Sequence, residues 1–109
     1  MRRRVREFLH WAEVEAGLSV NTLAAYRRDL RDYGSFLARR ARPLDRARPA
    51  DVLSYLKRLR RSGRAETTLA RRLACLRSFH HFLAAEGLLR RDPTASLESP
   101  RRWRTLPRV

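Results

Sequence analysis

The stretch of sequence that decides the fold runs from Ser19 to Leu37 and reads SVNTLAAYRRDLRDYGSFL. Its larger apolar residues recur at spacings of three and four, which is typical of an amphipathic α-helix and not of a β-strand. At about 100° per residue they fall within about 80° of the helix circumference. This apolar stripe consists of Leu23, Tyr26, Leu30, Tyr33 and Leu37. We predict a helix that begins after Ser19, whose hydroxyl is suited to N-capping, and that buries the stripe.

Helical periodicity extends over most of the chain. Three further segments share it and end at a glycine: residues 3–16 before Gly17, residues 49–62 before Gly63, and residues 66–86 before Gly87. Pro49 is suited to the first position of its helix, because that position needs no N–H donor. A short helical turn is expected over residues 92–97, and no segment alternates with the period of a strand. The sequence therefore predicts an all-α fold, a compact bundle of four to five helices.

The charge of the chain favours a polyanionic partner. Among the 109 residues, 25 Arg and 1 Lys oppose 11 acidic residues, which gives a net charge of +15. A GC-rich genome would explain why the cations are Arg, but not why they outnumber the acids. Nucleic acid is the first expected partner and an anionic membrane surface the second. The excess lies in connectors, helix ends and the tail, while residues 65–89 hold only three Arg against two Glu. This distribution favours clamping a phosphate backbone.

Several function classes lack their characteristic residues in this sequence. Cys75 has no cysteine partner, and there is no Cys/His metal cluster, glycine-rich phosphate loop or Ser/His/Asp arrangement. We expect no cofactor, no metal and no membrane span, and a cytoplasmic location. His80 falls on the apolar stripe of its helix and is expected to be a core or boundary residue.

Two predicted helix N-termini carry side chains that form hydrogen bonds: Ser19, Asn21 and Thr22 on one, Thr67 and Thr68 on the other. Unpaired N–H groups and the positive end of the helix dipole make such termini natural phosphate-binding positions. Arg28 and Arg71 follow on the solvent-facing stripes, and an arginine in the major groove pairs well with guanine. The alternative interpretation is ordinary helix capping beside a solvated face.

Residues 17–30, residues 68–83 and residues 92–97 with the positions after them resemble three signatures of one family. That family is the Xer-type tyrosine recombinases and related phage integrases. Residues 17–30, GLSVNTLAAYRRDL, resemble the opening signature. Residues 68–83, TLARRLACLRSFHHFL, resemble the second, in which Tyr or Phe is usual at the position of His80. Residues 92–97, DPTASL, and the following Ser-Pro-Arg at 99–101 and Leu-Pro at 106–107 resemble the exit into the interdomain linker.

The resemblance implies a SAM-like core-binding domain at residues 1–100 and the start of an interdomain linker at residues 101–109. In this family the domain forms half of a clamp around duplex DNA, and its second and fourth helices face the major groove. The positions that match the family's DNA-facing residues are Asn21, Thr22, Ala25, Arg28, Thr67, Thr68, Arg71 and Arg72. The family's first helix often contacts a neighbouring protomer of the recombinase tetramer, which gives Trp11 a candidate role.

The family's catalytic residues lie in a C-terminal domain that carries two Arg, a Lys, a His-x-x-Arg motif and a Tyr nucleophile. No histidine of this chain has an arginine three positions later. We therefore expect that the chain by itself is not an enzyme and that a catalytic domain would begin near Val109. Two alternatives remain at this point. One is a free-standing DNA-binding or architectural protein derived from an integrase, and the other is a helical protein-interaction module.

Overall fold

A computed structural model describes residues 1–97, and this part of the chain folds as a helical bundle. Its four α-helices are α1 (Arg2–Val14), α2 (Val20–Arg39), α3 (Pro49–Arg61) and α4 (Glu66–Ala85). A one-turn 3-10 helix, Leu44–Arg46, lies in the connector between α2 and α3. Residues 1–97 contain no strand, so the predicted all-α bundle is confirmed. The predicted bounds of α1 and α4 differ from the observed ones by at most two residues.

The turn between α1 and α2 follows the local sequence signals. Gly17 has a φ of +64°, a conformation that costs glycine little, and the Leu18 N–H donates to the Ala12 carbonyl at 3.1 Å. The Ser19 hydroxyl accepts from the Thr22 N–H at 3.2 Å, which confirms Ser19 as the N-cap of α2. These contacts end one helix and begin the next within five residues, 15–19.

The start of α3 is fixed by one buried carboxylate. Pro49 is the first residue of the helix, as predicted, and Asp51 accepts from the Arg48 N–H at 2.9 Å. Asp51 is only 1% exposed and is also paired with Arg40 at 3.1 Å and with Arg42 at 3.0 Å. Because these two arginines lie at the end of α2 and just beyond it, Asp51 ties the connector to α3.

The core lies where α1, α2 and α4 meet, with α3 packed against α2 and α4. From the predicted stripe of α2, Leu30, Tyr33 and Leu37 are buried, while Leu23 and Tyr26 are half-buried against the same core. An aromatic cluster around Phe8 completes the core. The Phe8 ring lies 5.4 Å from Phe79, 5.7 Å from Phe82 and 6.1 Å from Trp11.

The segment after α4 forms a turn and not a further helix. Asp92 Oδ1 accepts from the Thr94 N–H at 2.8 Å and from the Thr94 hydroxyl at 2.6 Å. The Leu97 N–H then donates to the Thr94 carbonyl at 3.1 Å. The predicted helical turn over residues 92–97 is therefore a single turn held by an aspartate. The predicted linker, residues 101–109, lies outside the described residues.

His80 is a core residue, as the sequence predicts. It is 0% exposed, and its Nε2 atom lies 2.8 Å from the Tyr33 hydroxyl, which joins α4 to α2. Burial lowers the pKa of His80 to about 4, although the nearby charge of Asp92 acts in the opposite direction. The usual pKa of histidine is about 6.5. Because the pKa of His80 is lower, its imidazole stays neutral in the folded chain at neutral and mildly acidic pH.

The lowered pKa of His80 predicts that the unfolding free energy depends on pH, and that His80→Phe removes this part of the dependence. Below pH of about 6.5 the unfolded chain binds a proton at His80 and the folded chain does not, so stability falls as the pH falls towards about 4. Between about pH 7 and about pH 5, the parent chain should lose about 2 kcal/mol more unfolding free energy than His80→Phe. Urea unfolding of both proteins at both pH values measures this difference, and equal losses would contradict it.

Candidate nucleic-acid interface

A chain of charged and polar side chains joins α2, α3 and α4 and ends at the surface. Tyr55 of α3 donates to Asp32 Oδ2 at 2.7 Å. Arg72 Nη1 donates to the same oxygen at 2.8 Å and to the Tyr55 hydroxyl at 2.7 Å. Arg72 Nε lies 3.4 Å from Asp29 Oδ1, which also accepts from Arg71 Nη2 at 2.9 Å. We call these five residues the Asp29–Asp32 network.

The two carboxylates of this network experience different environments. Asp29 is 2% exposed, and burial raises its pKa despite the attraction of Arg71, Arg72 and Arg28. For Asp32 burial acts in the same direction, but hydrogen bonds from Tyr55 and Arg72 outweigh it and lower the pKa. The charged form of Asp29 is therefore stabilised mainly by the neighbouring guanidinium groups. The charged form of Asp32 is stabilised by hydrogen bonds from Tyr55 and Arg72.

The predicted DNA-facing residues of α2 lie on its outer side. Asn21 and Arg28 are exposed, and Thr22 and Ala25 are half-buried. Thr22 belongs to the helix cap, because its hydroxyl accepts from the Ser19 hydroxyl at 2.9 Å in addition to the backbone contact. Arg28 forms no ion pair within residues 1–97, so its guanidinium remains available to a ligand.

The start of α4 is less fully capped than that of α2. Its N-cap is Ala65, whose methyl side chain cannot accept hydrogen bonds from the first N–H groups of the helix. Thr67 is exposed and Thr68 is half-buried in this first turn. Glu66 also lies there, but its carboxylate is paired with Arg60 at 3.3 Å. The N–H groups of this terminus therefore have no side-chain cap within the described part of the chain.

Arg71 and Arg72 are adjacent in sequence but occupy different environments. The Arg71 side chain is 45% exposed, whereas that of Arg72 is 9% exposed. The resemblance implies that Arg72 is a DNA-facing residue, yet its guanidinium is engaged by Asp29, Asp32 and Tyr55. Its geometry is that of a core residue, because a helical step of about 100° turns it from the surface towards α2.

The structure brings Arg71 and Arg72 together on one carboxylate, that of Asp29. Arg28, Arg71 and Arg72 all act on the Asp29 carboxylate. Within residues 1–97 no hydrogen bond or ion pair joins Asn21 or Thr22 to Thr67 or Thr68. The candidate interface is therefore the outer side of α2 and α4, with Asp29 between them.

Sequence reasoning missed the carboxylates of this interface. On a helical wheel Asp32 falls opposite the apolar stripe of α2, which predicts a solvent-facing side chain, but it lies half-buried in the network with Tyr55. Asp29 lies beside the apolar stripe, and its ion-pair partners Arg71 and Arg72 belong to another helix. The spacing of three between these two aspartates, which places them on one helix side, was the available signal.

Comparison with known families now identifies the bundle. The family described as "Phage integrase, N-terminal SAM-like domain" matches residues 4–87, which include all four helices apart from the first residues of α1. The chain belongs to this family. The resemblance carried by residues 17–30 and 68–83 is thereby confirmed, together with the fold that it implied.

Three similar proteins are named tyrosine recombinases. The chain is 45% identical to the tyrosine recombinase XerD of Rhizobium meliloti, with 96% of this chain and 34% of the relative covered. It is 43% identical to the XerD of Halalkalibacterium halodurans, and the match covers 96% of this chain and 36% of the relative. It is 42% identical to the tyrosine recombinase XerC of Roseiflexus castenholzii, and the match covers 100% of this chain and 35% of the relative. The chain thus spans about a third of the length of these relatives. No solved structure matches the chain.

The described residues offer few other chemical groups. None of the helices in residues 1–97 is long and apolar enough to cross a membrane. The same residues contain no group of three or more His, Cys, Asp or Glu side chains that could hold a metal ion. Cys75 is 0% exposed, and burial raises the pKa of its thiol. The thiol is therefore protonated and shielded at neutral pH.

The different environments of two arginines predict different effects on stability. Arg72→Met should lower the unfolding free energy by about 3 kcal/mol, because Asp29 loses a buried guanidinium partner and Asp32 loses a charge-assisted hydrogen bond. Arg28→Met on the exposed side of α2 is the matched control, and it should change stability by no more than about 0.5 kcal/mol. Chemical unfolding followed by circular dichroism measures both. Equal, small effects would contradict the buried role of Arg72.

Proposed function

We propose that this chain binds duplex DNA as the N-terminal core-binding domain of a site-specific tyrosine recombinase and forms half of a clamp around a recombination half-site. The observation that carries the proposal is the family match over residues 4–87, combined with exposed cationic and polar side chains on α2 and α4. The relatives are named tyrosine recombinases, and the net charge of +15 suits a polyanionic ligand.

The proposed contact surface divides into positions of different chemistry. Asn21 and Thr67, exposed in the first turns of α2 and α4, are placed to bind phosphate oxygens together with helix N–H groups. Arg28 and Arg71 lie further along the same helices and reach phosphates or base edges. We assign Arg72 a supporting role, because its guanidinium is occupied inside the bundle.

The proposed partners besides DNA are other recombinase protomers. Trp11 of α1 is 36% exposed, and its ring packs on Phe8 and on Phe82 at 5.5 Å, which holds it in a fixed orientation. A rigid, partly exposed tryptophan suits a protein contact. We place this activity in the cytoplasm. DNA cleavage and rejoining would require catalytic residues from outside this chain, and the chain by itself should not cut DNA.

Duplex binding with a strong salt dependence tests the proposal. Fluorescence anisotropy with a labelled random duplex should give a dissociation constant of roughly 10⁻⁴–10⁻⁶ M near physiological salt and tighter binding at low salt. If Arg28 contacts a phosphate, Arg28→Ala should reduce the slope of log K against log salt by about 0.9.

Arg6→Ala on α1 is the matched control, because Arg6 is also exposed but lies on another helix. Its slope should equal that of the parent chain. Equal losses for Arg28→Ala and Arg6→Ala would indicate diffuse attraction without a defined face. Absence of duplex binding at low salt would overturn the proposal and favour a protein-interaction module.

A further inference from the structure

We propose that Asp29 is a positioning residue that holds the Arg71 guanidinium in place to read a base pair. This inference rests on the proposed function, since it concerns how the same face of α2 and α4 would select a DNA sequence. The observations that carry it are the contact between the two side chains, the burial of one partner and the exposure of the other.

The contact joins the buried carboxylate of Asp29 to the half-exposed guanidinium of Arg71. Asp29 Oδ1 accepts from Arg71 Nη2 at 2.9 Å. Asp29 is 2% exposed, whereas the Arg71 side chain is 45% exposed. A guanidinium has five N–H donors, and no second hydrogen bond engages that of Arg71 within residues 1–97. Asp29 therefore restrains Arg71 through one nitrogen and leaves further donors for a ligand.

Asp29 is itself supported from behind. Arg72 Nε lies 3.4 Å from the same Asp29 oxygen, and Arg72 is anchored by Asp32 and Tyr55. Because Tyr55 belongs to α3, three helices combine to fix the carboxylate. An arginine on a free surface loses rotamer freedom when it binds, but the tethered Arg71 has lost part of that freedom in the free protein. The arrangement is therefore preorganised.

The charge of Asp29 also determines which DNA groups Arg71 favours. A carboxylate 2.9 Å from a guanidinium cancels much of its positive field, which weakens its attraction for a phosphate. Hydrogen-bond donation to neutral acceptors, such as guanine O6 and N7, depends on geometry and is retained. Arg28 has no such partner within residues 1–97. We thus assign base selection to Arg71 and phosphate attraction to Arg28.

Selection from a randomised duplex library tests this assignment with the 109-residue chain. The parent chain, Asp29→Asn, Arg71→Ala and the double variant are compared, with Arg28→Ala as the matched control. Asp29→Asn and Arg71→Ala should flatten the preference at the same base pair, by about tenfold. In the Arg71→Ala background, Asp29→Asn should cause no further flattening. Arg28→Ala should keep the preference and weaken binding to all sequences.

The affinity for random duplex separates positioning from a purely structural role. Asp29→Asn removes a negative charge near the interface, so its affinity for random duplex should equal or exceed that of the parent chain. Uniform weakening on every sequence, in both the parent and the Arg71→Ala backgrounds, would show that Asp29 serves only the fold. Circular dichroism at the binding temperature confirms that each variant is folded.

Two outcomes distinguish failure of this inference from failure of the proposed function. If the parent chain binds duplex but Asp29→Asn keeps the full base preference, or if the parent chain has no preference, the positioning role is overturned and DNA binding stands. If the parent chain binds no duplex at low salt, the proposed function is overturned and the inference falls with it.

Discussion

The arrangement of α2, α3 and α4 depends on the contacts of one buried guanidinium, that of Arg72, with the two aspartates of α2. Arg72 reaches Asp29 at 3.4 Å and Asp32 at 2.8 Å, and its second hydrogen bond to Tyr55 includes α3. Buried ion pairs contribute little net stability compared with apolar packing of the same volume. Their geometric demands are strict, however, because a shift of α4 along α2 would leave a buried carboxylate without a partner. The network therefore acts mainly on the register of the helices.

That register determines the different environments of two neighbouring arginines. With Arg72 directed inward, the next position back along α4 turns outward by about 100°, and Arg71 reaches the edge of the same Asp29 carboxylate. Asp29 thus contacts both the buried Arg72 and the half-exposed Arg71. The fold and the candidate interface share this single side chain, so neither is built independently of the other.

Much of the fold could be predicted because its signals are local. The apolar stripe of α2, the Ser19 cap and the turn at Gly17 each depend on residues within one or two helical turns. The burial of His80 was predictable for the same reason, from its place on the α4 stripe. The pairing of Arg72 with Asp32 joins residues 40 positions apart. A helical wheel gives the direction of each side chain but not the helix that it meets. It therefore does not show that Arg72, at the edge of the apolar stripe of α4, pairs with Asp32, which lies opposite the stripe of α2.

The distribution of charge also takes on a different meaning once the pairs are known. The net charge of +15 is large, but the arginine that we assign to base selection is one whose charge a carboxylate largely offsets. Unpaired cations attract every phosphate equally and therefore favour all DNA sequences alike. A donor that is fixed in direction, and whose long-range attraction is weakened by a neighbouring carboxylate, contributes more to discrimination between sequences than to general affinity. The Asp29–Arg71 pair has both properties, since its carboxylate is buried and its guanidinium is half-exposed.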